Sequence, residues 1–108
     1  NKTYGPITFY QFPRNEPIST MIERELAEGR CVGVFIDNRY WYPASPGIHA
    51  WAVVEIVEAR NVRQARLLTK LSEVGNGEGA TTKEEFIPMP EIDTAPVTDA
   101  VTYQRTRV

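Results

Sequence analysis

Only one cysteine and one histidine occur in these 108 residues, Cys31 and His49. A single thiol closes no internal disulfide and excludes a cysteine-rich zinc site within the chain, so neither a metal nor any other cofactor is expected. Surplus positive charge is missing as well. Twelve Lys and Arg stand against fourteen Asp and Glu, for a formal net charge of −2, and the field that draws whole domains onto phosphate backbones or anionic lipid is therefore absent. Nucleic acid is disfavoured as a partner. No apolar run approaches the roughly 20 residues of a membrane-spanning helix, and Asn1 to Gly5 has no signal-peptide pattern, so a soluble chain with no membrane association is expected. The first residue is Asn1, not Met, which suits a processed product or a piece of something longer.

What is present is ordinary globular material. Hydrophobic residues make up 42% and charged residues 24% of the chain, well outside the regime of disorder, and the length is that of one domain with one core. Ile7 to Phe12 is β-branched and aromatic and stops at Pro13, as a strand does. Pro17, Ser19 and Thr20 open a helix, with Thr20 and Glu23 at capping-box spacing, Ile18, Ile22 and Leu26 on one face, and Gly29 as the stop. Cys31 to Ile36 is an apolar run too short for a helix and predicts a central strand covered on both faces. After a loop over 37–47 that carries Tyr40, Trp41 and Tyr42 in a row, Ala50 to Val57 predicts a second strand beside the first. Asn61 to Val74 has two readings: apolar residues every third position suit a helix capped by Asn61, and alternation over Ala65 to Leu71 suits a strand that returns along 50–57, with Gly75 to Gly79 as a wide hairpin loop. The expected fold is α+β, a small, mostly antiparallel sheet with one N-terminal helix packed on it, occupying residues 1–87. Pro88, Pro90 and Pro96 predict an extended tail over 88–108, in which only Val101 to Arg107 alternates well enough to form an edge strand.

The candidate chemistry gathers around His49, which enters a strand directly after Pro46-Gly47-Ile48. A histidine fixed there by the sheet can turn its ring to a cleft and act as a general base, or it can brace a neighbouring loop. Asp37, Asn38 and Glu55 are the polar residues nearest it along the two strands, and each is a candidate to orient the imidazole. Tyr40, Trp41, Tyr42 and Trp51 are the candidate ligand-binding residues, since amphipathic rings stack on peptides and sugars; the same rings also suit a lid on a small core. Cys31 opens an apolar strand just after a helix ends, a setting that predicts a buried, unreactive thiol.

The order of features resembles the C-terminal, histidine-bearing half of papain-like cysteine proteases. A helix ending in Leu26-Ala27-Glu28-Gly29-Arg30, the strand Cys31 to Ile36, and then Gly47-Ile48-His49-Ala50-Trp51-Ala52-Val53-Val54 match that family's helix, apolar strand and Gly-x-His-Ala strand. The His-Ala-Trp triplet is also similar to transglutaminase-like members of the superfamily. Lys70 to Gly79 followed by Phe86-Ile87-Pro88 echoes the family's Lys-Asn-Ser-Trp-Gly region, which favours the strand reading of Ala65 to Glu73. The resemblance implies that His49 is the catalytic base. It assigns no nucleophile, because no cysteine precedes Cys31, and Leu71 stands where the family's orienting asparagine falls. It implies a β-subdomain or non-catalytic relative, an incomplete enzyme by itself, with a peptide or protein as partner. The alternatives are a small protein- or glycan-binding module built on the loop 40–42, and a structural component of a larger assembly.

Overall fold

The computed structural model describes residues 2–71 and 80–107. Strands β1 (Lys2–Gln11), β2 (Cys31–Asp37), β3 (Ile48–Ala59), β4 (Val62–Leu71), β5 (Thr81–Pro88) and β6 (Val97–Arg107) form one sheet, with helix α1 (Ile18–Ala27) between β1 and β2 and the single-turn helix α2 (Met89–Ile92) between β5 and β6. The strand order is β1-β6-β2-β3-β4-β5, and every neighbouring pair is antiparallel. The fold is α+β, as the sequence predicts, with β2 and β3 side by side and α1 lying across both.

The core lies between the sheet and the two helices. Met21 and Ile22 of α1 and Ile92 of α2 are fully buried against Val34, Ile36, Trp51, Leu67 and Ile87. Burial of each such side chain contributes about 1.5–3 kcal/mol, which is what keeps the helices on this face. Helix α1 ends where Gly29 takes φ +80°, a conformation that costs glycine nothing. Its start differs from the expected capping box: Pro17 is the cap and supplies no side-chain bond. Asp93, just past α2, accepts instead from the backbone N–H and the hydroxyl of Ser19, both at 2.9 Å. A carboxylate at a helix N-terminus satisfies an orphan donor and opposes the dipole, so each helix fixes the other's position.

Strand β2 corrects one expectation. Its burial alternates, with Val32, Val34 and Ile36 buried and Cys31, Gly33 and Phe35 only partly so; the helices cover one face of the sheet, and Cys31 lies on the other. Cys31 is half-buried, not a core residue. The ambiguous segment is strand β4, joined to β3 by a hairpin whose two turn residues, Arg60 and Asn61, have φ of 53° and 65°. Two consecutive left-handed residues give the turn that follows the twist of the flanking strands, which is the use Asn61 has here in place of a helix cap. The glycine-rich loop expected at 75–79 lies outside the described residues.

The expected tail at 88–108 is instead part of the fold. Pro88 and Pro90 sit at the start of α2, where a missing N–H costs no hydrogen bond, and Pro96 directly precedes β6. Strand β6 is interior: it pairs with β1 on one side and β2 on the other, burying Val97, Ala100 and Thr102. Pro88 closes the edge strand β5 opposite Gln64, and Pro90 and Pro96 fall outside the ladder, so none of the three prevents the strand that begins after them.

Candidate functional site

His49 is the second residue of β3, and Trp51 follows two positions on, so both rings face the helix-bearing side. Across the ladder His49 pairs with Ile36 and Trp51 with Val34. Above them the loop 38–47 is folded back by one buried side chain. Asn38 accepts from the Trp51 indole N–H at 2.9 Å through Oδ1, while its carbonyl accepts from the backbone N–H groups of Trp41 and Tyr42 at 3.1 and 2.9 Å. Its own N–H donates to the Gly47 carbonyl at 2.9 Å, closing the loop where Gly47, at φ 138°, turns the chain into β3. Asp37 starts the loop by accepting from the Arg39 side chain and from its backbone N–H, and these bonds lower its carboxyl to about 2.

The aromatic residues are thereby placed individually. Trp41 packs on Trp51 at 4.9 Å between ring centroids, and Tyr40 meets Trp41 edge-on at 5.1 Å. Tyr42 donates to Glu85 of β5 at 2.7 Å; burial first, and that bond second, push its phenol up to about 12. Trp51 is fully buried and is a core residue, whereas Tyr40 is the exposed ring of the four. The loop acts as a wall over the core beside His49.

The His49 ring lies edge-on to Trp51 at 6.3 Å, and its Nε2 is 2.9 Å from the hydroxyl of Thr69 on β4. The Thr69 hydroxyl also donates to the Ala50 carbonyl at 2.8 Å. A hydroxyl has one proton. With that proton on Ala50, Thr69 can only accept from the ring, so Nε2 carries the hydrogen and Nδ1 of the neutral imidazole keeps its lone pair. The arrangement presents a fixed base at Nδ1. Scans against protein-family models, curated proteins and solved structures return no match for this chain.

Of the residues named from sequence, His49, Trp51, Trp41 and Tyr40 come together in one chain of ring contacts, with Tyr42 tethered beside them. The three expected orienters are used elsewhere: Asp37 on Arg39, Asn38 on Trp51, and Glu55 on Arg66. Leu71 ends β4 half-buried. Thr69, two residues earlier on the same face, orients the ring and was not among the candidates. Cys31 begins β2 and faces the open side, five residues from Ile36, the partner of His49; at ~3.3 Å per residue it stands about 16 Å along the strand, on the wrong face for proton exchange. Among the described residues no group of His, Cys, Asp and Glu side chains is arranged to hold a metal ion.

Proposed function

We propose that this chain is the histidine-bearing half of a papain-like thiol-hydrolase site, with His49 as general base and no nucleophile of its own. The observation that carries this reading is the bond from Nε2 to Thr69. It leaves Nδ1 basic and fixed at the mouth of β3, which is the protonation state a thiol-activating base requires. Cys31 is excluded from that role by its face and its distance. A nucleophile must come from a cysteine-bearing segment outside residues 1–108, and the substrate class is a peptide or protein that lies against the wall formed by Tyr40 and Trp41. The rival binding-module reading has less support, because Trp41 packs on Trp51 and Tyr42 is tethered to Glu85, which leaves Tyr40 as the exposed ring of the triplet.

The test is hydrolysis by the product in which a cysteine-bearing segment accompanies this chain, with and without His49→Ala. Removing a general base costs on the order of 10²–10⁴-fold in rate. Activity that survives His49→Ala overturns the proposal. So does thiol-dependent peptidase activity from residues 1–108 alone that disappears in Cys31→Ala.

A further inference from the structure

The sheet face opposite the helices is apolar over β1, β6, β2 and the start of β3, where an uncovered antiparallel sheet is ordinarily polar, and turns charged toward β4 and β5 with Glu55, Arg66 and Glu84. Phe9 is 73% and Ile7 56% exposed, and the central strands add Phe35, Val101, Ala50 and Ala52. Among the described residues nothing lies over this face. An exposed apolar patch of this extent marks an interaction site.

The register of the sheet says what fits it. Along one row Asp99, Phe35 and Ala50 stand abreast, and along the next Val101, Gly33, Ala52 and Leu68. Lys70, two residues beyond Leu68 on β4, shares Leu68's face and continues the first row past Ala50. A two-fold axis parallel to the strands and midway between β2 and β3 places β2 of one copy over β3 of the other, and β6 over β4. Under that operation Phe35 meets Ala50, Gly33 meets Ala52, Val101 meets Leu68 and Asp99 meets Lys70. Each of these four central pairs is large against small, apolar against apolar, or acid against base; at the flanks, where β1 falls over β5, Ile7 meets Phe86, and Phe9 lies over Glu84, whose charge is held by Arg66. The floor of Gly33, Ala50 and Ala52 lets the two backbones approach.

We infer that this open face is a self-complementary interface with a second copy of this chain, the two sheets packed face to face about that axis. Six strands at ~4.8 Å and three rows of side chains give on the order of 500 Å² per copy, hence about 1,000 Å² per pair, the lower limit for a specific contact. The dimer is therefore weak and concentration-dependent. The Asp99–Lys70 pairs, at the rim, set register more than affinity. His49 faces the other side and stays open, so this inference stands or falls independently of the hydrolase reading.

Sedimentation equilibrium of the purified chain, from low micromolar to submillimolar concentration, tests it. The wild-type mass rises toward that of two chains. Ala50→Arg, which puts a charge under Phe35, holds the mass at one chain over the whole range. Asp99→Lys and Lys70→Asp each loosen association severalfold, and the double variant restores it. Should Ala50→Arg lose the wild-type circular dichroism spectrum, the charge-swap set decides alone. A wild-type chain that stays monomeric, an Ala50→Arg variant that associates as the wild type does, or a double variant no tighter than the singles overturns the inference.

Discussion

Replacing Thr69 by valine keeps the volume and branching of the side chain and removes only the hydroxyl. Two hydrogen bonds go with it: the one His49 donates from Nε2 at 2.9 Å and the one Ala50 accepts at 2.8 Å. Each is partly solvated, so water replaces part of what is lost, and the stability cost is about 1–2 kcal/mol for the pair. The effect on the ring is more specific. A bond worth ~1 kcal/mol biases the two neutral tautomers by roughly fivefold, and that bias disappears with the hydroxyl. Long-range ¹⁵N–¹H correlation at about pH 8.5, where an ordinary imidazole is neutral, reads the tautomer directly, and the single histidine makes assignment unambiguous. The wild type is expected in the Nε2–H form, Thr69→Val in a mixture, and Thr69→Ser in the wild-type form. A wild-type ring protonated at Nδ1, or a tautomer ratio indifferent to Thr69→Val, refutes the assignment of the base.

Glu25 is buried yet ionised: burial acts to raise its carboxyl, but bonds from Arg30, Tyr10 and Thr102 prevail and hold it below the ordinary 4.5. Its contribution to stability is complete above pH 4.5 and is lost as pH falls through the lower folded value, so acid denaturation of Glu25→Gln should lack that part of the slope. Glu25→Ala, which takes the shared acceptor from Tyr10 and Thr102 and leaves Arg30 with Glu28, should cost about 3 kcal/mol in urea unfolding. Tyr42→Phe should remove the phenol that ionises at about 12 from the alkaline absorbance titration; because the folded value is raised, the wild-type advantage over Tyr42→Phe holds below the unfolded value of 10.0 and fades as pH climbs toward 12. Asn38→Ala should cost about 2 kcal/mol by leaving the buried Trp51 N–H without an acceptor, with a red-shifted tryptophan emission reporting the loosened loop.

The parts of the fold legible from sequence are those whose signal is local. Ile18, Ile22 and Leu26 mark one face of α1, and the apolar runs of β2 and β3 mark neighbouring strands. Thr69 was hidden by an irregularity that leaves no local mark. From the Arg60–Asn61 turn the β3–β4 pairs run Ala59 with Val62 through Glu55 with Arg66, then shift by one, so that Val53 meets Leu67 and Val54 bulges out unpaired. Without that extra residue Lys70 comes abreast of Trp51 and Thr69 turns to the open face, because a one-residue slip exchanges the two faces of a strand. The apparent tail misled for the opposite reason. Pro88, Pro90 and Pro96 are loud local signals, yet Pro88 ends an edge strand and the other two lie between strands, and the interior place of β6 depends on partners far away in sequence.

Among the described residues strand β1 pairs with β6 alone. The first ten-residue strand of the chain thus has nothing to pair with until the last has been synthesised, and during translation it waits, backbone unpaired, while β2 to β5 can already zip together as hairpins. Completion of the sheet is a late, end-to-end event of high contact order, slow by nature and exposed to misassociation while it is pending. In the finished molecule Lys2 lies opposite Arg107, so the start of β1 and the end of β6 lie side by side. A short linker between them, with new ends opened at the Arg60–Asn61 turn, would make β6 and β1 a hairpin contiguous in sequence, and a chain rewired in that way should fold faster than the natural order allows.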